Sequence, residues 1–237
     1  MRDISIVIVK SSSEGVMRAK EILEKTVSKD TALFLSGGRT PKELYEEIAK
    51  EATLTPGAVG MIDERYGEKW HENSNELMIK NSGLIAYLDN INIKFYPILQ
   101  SARLHPKGVG IENTALQYDK TVRDLFKNFQ KSIGILGIGA DGHIASIPAG
   151  KNQESRIKNQ DYVESINNFP AEQEERITLT FKGLSKLDLI VVLVFGQDKK
   201  EALEKMFEKG SEEEVPARFY LRPEIAQKTL LITDQTV

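Results

Sequence analysis

The sequence predicts an α/β fold built on a mostly parallel sheet with helices on both faces. Three observations carry that expectation. Short β-rich runs bounded by turn residues alternate with stretches whose apolar residues recur at helical spacing, the pattern of strands joined by crossover helices. One run, Leu189-Ile190-Val191-Val192-Leu193-Val194, is apolar throughout, as a strand buried on both faces would be. Glycines and titratable side chains gather directly after the apolar runs, which is where open α/β sheets bind ligands.

Residues 4–9 alternate as a first strand, and 16–27 carry the three-and-four spacing of a helix. The strand over 31–36 is stopped by Gly37-Gly38, after which Pro41 suits the first turn of a helix over 41–49. Residues 59–63 form a strand that ends on charged groups, 114–129 a long amphipathic helix, and 133–138 a strand that runs into a glycine-rich loop. The buried strand spans 187–195, a helix follows over 199–207, and 229–233 is the last strand. Residues 151–175 are polar and charged and read as a surface excursion beside the site. With 237 residues, 40% of them hydrophobic, and neither repeat nor low-complexity linker, one domain over 1–237 is expected.

Composition excludes several classes. Lys and Arg number 32 against 35 Asp and Glu, a formal charge of −3, so no basic surface marks a nucleic-acid partner. The absence of cysteine removes disulfides, thiolate metal sites and a Cys nucleophile. Residues 1–10 run into an alternating stretch too short for a signal-peptide core, and no run of about 18 apolar residues follows. A cytoplasmic protein without a membrane partner is the expectation, with monomer and homodimer both open.

Four segments carry chemistry. In Ser36-Gly37-Gly38-Arg39-Thr40-Pro41 the glycines let backbone N–H groups turn toward an anion at a helix start, and Thr40 can cap the helix or donate its hydroxyl. A plain strand-to-helix turn is the competing reading. Asp63-Glu64-Arg65-Tyr66, with Ser74-Asn75 downstream, puts a planar two-pronged donor at a strand end; a solvated strand end and a Ser74 helix cap are the alternatives. Gly137-Ile138-Gly139-Ala140-Asp141-Gly142-His143-Ile144-Ala145-Ser146 concentrates glycines, an Asp and a His. A histidine there can take a proton from water near neutral pH, with Asp141 orienting the ring. His71 and His105 are read as structural. The last segment pairs Arg176-Ile177-Thr178-Leu179-Thr180, alternating as a half-exposed strand, with Gly196-Gln197-Asp198-Lys199, where Lys199 offers a point charge or is ordinary helix surface.

In this order and spacing the four segments resemble the 6-phosphogluconolactonase branch of the glucosamine-6-phosphate isomerase/6-phosphogluconolactonase superfamily, over roughly residues 31–235. The resemblance implies a modified doubly wound, Rossmann-like fold with the site at the carboxyl ends of the strands. It implies that Gly37, Gly38, Arg39 and Thr40 hold a substrate phosphate together with Arg65 and Lys199. It also implies that His143 is the general base with Asp141 beside it, and that Asp63 and Asn75 shape the pocket; Arg176 matches an R-x-T-L-T element of the family. The implied substrate is a small phosphorylated sugar lactone, hydrolysed without metal or organic cofactor; Arg65, whose two-pronged donor suits a phosphate or a developing oxyanion, is also counted among the catalytic residues.

The deaminase branch shares D-G-H-I-A but continues into an acid-bearing loop, where this chain reads Ser146-Ile147-Pro148-Ala149-Gly150. That branch also carries a tyrosine where Arg65 stands. Against the lactonase pattern, a phenylalanine after Ser146 is missing and Gly67-Glu68 replaces a V-P pair. Two other readings remain at this stage. One is deamination with isomerisation, using Asp63 as base; the other is a sugar-phosphate binding module with little catalysis.

Overall fold

Aliphatic and β-branched residues dominate the central strands, and burial follows them. The computed structural model describes residues 4–99, 110–150 and 161–236. Among these the strands are β1 (Ser5–Ile8), β2 (Thr31–Leu35), β3 (Ala58–Met61), β4 (Asp63–Arg65), β5 (Lys131–Leu136), β6 (Val163–Ile166), β7 (Arg176–Leu179), β8 (Leu189–Val194) and β9 (Thr229–Thr233). Ahead of β5 come the helices α1 (Ser12–Thr26), α2 (Arg39–Glu51), α3 (Asn75–Asn81), α4 (Leu84–Asn90) and α5 (Ile111–Asn128). A further helix, Lys200–Phe207, follows β8.

Six strands form one sheet in the order β1-β9-β8-β5-β2-β3, every pair parallel. From β2 the chain winds outward to β3, while β5, β8 and β9 wind the opposite way. The order therefore reverses between β2 and β5, and a crevice opens beyond their carboxyl ends. The 189–194 run is buried from Ile190 onward, as its unbroken apolar pattern requires. In α2, Pro41, Leu44, Tyr45 and Ile48 are buried; their spacing puts them on one face, and burying a Leu or Ile stabilises by about 1.5–3 kcal/mol. At the β3 edge the Tyr118 hydroxyl of α5 donates to the Met61 carbonyl at 2.8 Å and accepts the Met61 N–H at 2.5 Å, so both backbone groups of an edge residue are satisfied.

The run at 59–63 is not one strand. The Ile62 N–H donates to Leu35 in the first sheet, whereas the Ile62 carbonyl accepts from Leu179, and the chain passes there into an antiparallel sheet of order β4-β7-β6. Arg176–Leu179 is buried along its whole length rather than half-exposed. Helix α5 contacts β6 and β7, and Thr178 on the same sheet accepts the N–H of Ser146. The expected surface excursion is corrected likewise: Val163, Ile166 and Phe169 are core residues, with β6 paired to β7. Residues 151–160 and His105 lie outside the described residues. No helix among those described is long and apolar enough to cross a membrane.

Candidate active site

The crevice between the β2 and β5 ends is a cleft of about 520 Å³. Ten of the eleven residues expected at the site line it. Gly37, Gly38, Arg39 and Thr40 come from the start of α2, Asp63 and Arg65 from β4, and Asn75 from the start of α3. His143 follows β5, Arg176 opens β7, and Lys199 closes the turn after β8. Asp141 is the exception; it stands behind His143. One strand end alone would supply one or two such groups, so the convergence of five strand ends is what makes a site.

The phosphate-cradle candidate is held from behind. Tyr45, fully buried, donates its hydroxyl to the Ser36 carbonyl at 2.9 Å. Gly38 caps α2 with φ of +117° and no side-chain hydrogen bond. Thr40 is therefore inside the helix, not its cap, and among the described residues its hydroxyl has no hydrogen-bond partner, which leaves it for the alternative expected of it. The first N–H groups of a helix have no partner within it, and with the positive end of its dipole they favour an anion.

The loop after β5 orients the histidine. Asp141 Oδ1 accepts the His143 N–H at 3.1 Å and lies 2.5 Å from Nδ1. That contact fixes the ring and leaves Nε2 as the nitrogen available in the cleft. The bond also holds the Asp141 carboxyl down at about 2, below the ordinary aspartate range. Phe169 stands edge-on to the imidazole, ring centroids 5.3 Å apart, and the Arg176 guanidinium lies 3.7 Å over the same Phe169 ring. The expectation found no role for Phe169, because it lies in a polar stretch with no periodic signal.

Four cationic side chains, Arg39, Arg65, Arg176 and Lys199, line the same cleft as the base. Arg65 and Arg176 are register partners across β4 and β7. Burial, and then the Arg65 charge, hold the Arg176 guanidinium below its ordinary value, so a bound anion would relieve both arginines. Among the described residues neither Arg39 nor Lys199 has an ion-pair partner. Asp63 is nearly buried, and its Oδ2 accepts the Ser146 hydroxyl at 2.7 Å. His71, read as structural, has its Nε2 3.0 Å from the Arg65 carbonyl.

Glu64 stands between Asp63 and Arg65, and the sequence alone assigns it no role. Strand alternation turns it away from Asp63 and Arg65, onto the back of β4, where it is fully buried. It takes the N–H groups of Arg65, Asn75 and Glu76 and the Ser74 hydroxyl. Burial pushes its carboxyl up to about 7, against those four bonds. Ser74 does cap α3, accepting from the Leu77 N–H. Among the described residues no group of three His, Asp or Glu side chains is placed to hold a metal ion.

A family model described as glucosamine-6-phosphate isomerases/6-phosphogluconolactonase matches residues 10–230. A 6-phosphogluconolactonase of Synechocystis is 30% identical over 201 residues, covering 79% of this chain and 76% of that one. A glucosamine-6-phosphate deaminase of Clostridium perfringens is 26% identical over 251 residues, covering 98% and 93%. The solved 6-phosphogluconolactonase of Shewanella baltica superposes with a TM-score of 0.79 over 98% of this chain and 97% of that one, at 19% identity. That of Thermotoga maritima gives 0.73 over 98% of both chains, at 23% identity. At such identities the structural likeness establishes a common fold, while the match from residue 10 to residue 230 reaches further: this chain belongs to the glucosamine-6-phosphate isomerase/6-phosphogluconolactonase family.

Proposed function

We propose that this protein is a 6-phosphogluconolactonase of the pentose phosphate pathway, a cytoplasmic hydrolase that opens 6-phosphoglucono-δ-lactone to 6-phosphogluconate. The observation that carries the reading is the Asp141–His143 pair at the wall of a cleft whose other groups include Arg39, Arg65, Arg176 and Lys199. His143 Nε2 takes a proton from water as its oxygen bonds to the lactone carbonyl carbon. Arg65 stabilises the tetrahedral oxyanion. When the carbonyl re-forms, the ring C–O bond breaks and the ring oxygen leaves as a hydroxyl carrying the proton that His143 had taken. General acid–base work of this kind is worth about 10² to 10⁴ in rate. Arg39, Lys199 and the glycine turn hold the phosphate, and Asp63, Asn75 and Arg176 shape the sugar pocket. The chemistry calls for no cofactor, and one domain suffices for it.

Deamination of an amino-sugar phosphate is the second reading, supported by the Clostridium relative that spans nearly the whole chain. It needs Asp63 as a free base, and Ser146 already occupies Oδ2 of that carboxylate. The test is turnover of freshly made 6-phosphoglucono-δ-lactone by wild type and His143→Ala, with ammonia release from glucosamine 6-phosphate assayed in parallel. Lactone opening that collapses in the variant is the expected result. Ammonia without lactone opening would move the protein to the deaminase branch, and tight binding without turnover would make it a sensor.

A further inference from the structure

Glu64 is a fully buried carboxylate with no ion-pair partner among the described residues. A buried charge without a counter-ion is expensive unless hydrogen bonds replace its lost hydration. Here each oxygen receives two. Oε1 accepts the N–H groups of Arg65 and Asn75, both at 2.7 Å, and Oε2 accepts the Ser74 hydroxyl at 2.9 Å and the Glu76 N–H at 2.8 Å.

Those donors tie the strand to the corner where α3 begins. On the cleft side the same corner is closed a second time, by the Asn75 amide donating to the Asp63 carbonyl at 3.0 Å. The residue just before the corner, Asn73, accepts from Arg65 Nη1 at 2.8 Å. Arg65 is thus held at both ends: its backbone N–H by Glu64 directly, and its guanidinium by a carbonyl that stands one residue from Glu64's own partners.

We propose that Glu64 is a positioning residue, which sets the Arg65 guanidinium in the cleft by locking the Ser74–Asn75 corner onto the back of β4. The inference rests on the lactonase reading of the cleft. A carboxylate is the side chain this corner requires, because four donors converge on it and an amide offers one acceptor atom, its nitrogen facing the Ser74 hydroxyl and the Glu76 N–H as a donor. Replacing it leaves backbone and hydroxyl groups competing for too few lone pairs, and the corner shifts.

The experiment is Glu64→Gln in the full chain, with kcat and KM for the lactone, calorimetric affinity for 6-phosphogluconate, and thermal melting. Loss of one charge-assisted bond's worth of positioning corresponds to about tenfold. Because Arg65 serves the oxyanion, kcat is expected to fall by about that factor while KM and the dissociation constant move much less. In an Arg65→Ala background Glu64→Gln should add almost nothing, since the group it positions is gone. An unchanged kcat per folded molecule, or losses that multiply in the double variant, would overturn the proposal. Should Glu64→Gln not fold, Ser74→Ala removes one donor to Glu64 along with the α3 cap and should lower kcat about threefold; a kcat that stays put there overturns it equally. Wild type that neither binds 6-phosphogluconate nor opens the lactone would remove the lactonase reading and this inference with it, whereas an active wild type beside an unmoved variant removes this inference alone.

Discussion

Asp141 Oδ1 lies 2.5 Å from His143 Nδ1 and also receives the His143 backbone N–H at 3.1 Å. One oxygen thus holds the loop's turn and the ring's tautomer together, so the carboxylate acts on the base through geometry before it acts through charge. Asp141→Asn keeps an oxygen that can accept from Nδ1 but removes the charge that stabilises the imidazolium formed as water is deprotonated. We expect kcat to fall about tenfold with KM nearly unchanged, well short of the 10² to 10⁴ expected for His143→Ala. Steady-state kinetics of the two variants side by side decide it; equal losses would mean that the carboxylate is needed for more than orientation and charge.

The same contact links stability to acidity. Bonding to His143 lowers the Asp141 carboxyl from 3.8 to about 2, so its contribution is present above 3.8 and is lost as pH falls through 2. Wild type should therefore lose melting temperature more steeply than Asp141→Asn between these two values. Parallel melting curves across that window would reject the linkage. The side chain is about half exposed, so screening keeps the difference small.

Two glycines make opposite kinetic predictions. A Cβ on Gly37 would stand 1.9 Å from Asn75 Oδ1, and one on Gly139 would stand 2.0 Å from His143 Nδ1. Neither fits without displacing that neighbour. Gly37→Ala should disturb the anion end of the cleft and raise KM, whereas Gly139→Ala should push the base out of line and lower kcat. Each effect is expected at about tenfold or more, since a misplacement near 1 Å can cost about a hundredfold. Kinetics showing both variants failing in the same parameter would contradict the division of the cleft into an anion end and a chemical end.

The sequence was most legible where pattern and position reinforce each other. Every strand of the parallel sheet was expected within a few residues: strands buried on both faces are written in unbroken aliphatic runs, as at Leu189–Val194, and the exposed edge strand Ser5–Ile8 by its alternation. The cleft was legible because its residues sit directly after those runs. What escaped depends on long-range pairing. Ile62 reads as one more strand residue, and nothing local reveals that its N–H and carbonyl serve different sheets. Val163–Ile166 hides in a charged context, since two buried residues of four are too few for a period. Phe169 and Glu64 were passed over for a related reason: their value lies in what they touch, His143 and Arg176 for one, the α3 corner for the other.

Lys199 tests the phosphate assignment. It ends the short 3₁₀ turn Gln197–Lys199 after β8, and that turn is anchored by the Gly196 N–H donating to the Asp234 carboxylate at 3.1 and 3.2 Å. The ammonium therefore projects from a fixed base, and among the described residues no acid neutralises it. A charge-assisted bond to phosphate contributes about 1.5–3 kcal/mol, or roughly ten- to a hundredfold in binding. Lys199→Ala should lower kcat/KM by that factor, mainly through KM, and should flatten the dependence of KM on ionic strength, since a salt-screened attraction has been removed. Lys199→Arg keeps the charge and should recover part of the loss. The decisive comparison uses glucono-δ-lactone, which lacks the phosphate: wild type and Lys199→Ala should open it at equal rates. A variant that is as impaired on the unphosphorylated lactone as on the phosphorylated one would place Lys199 in the chemistry rather than at the phosphate.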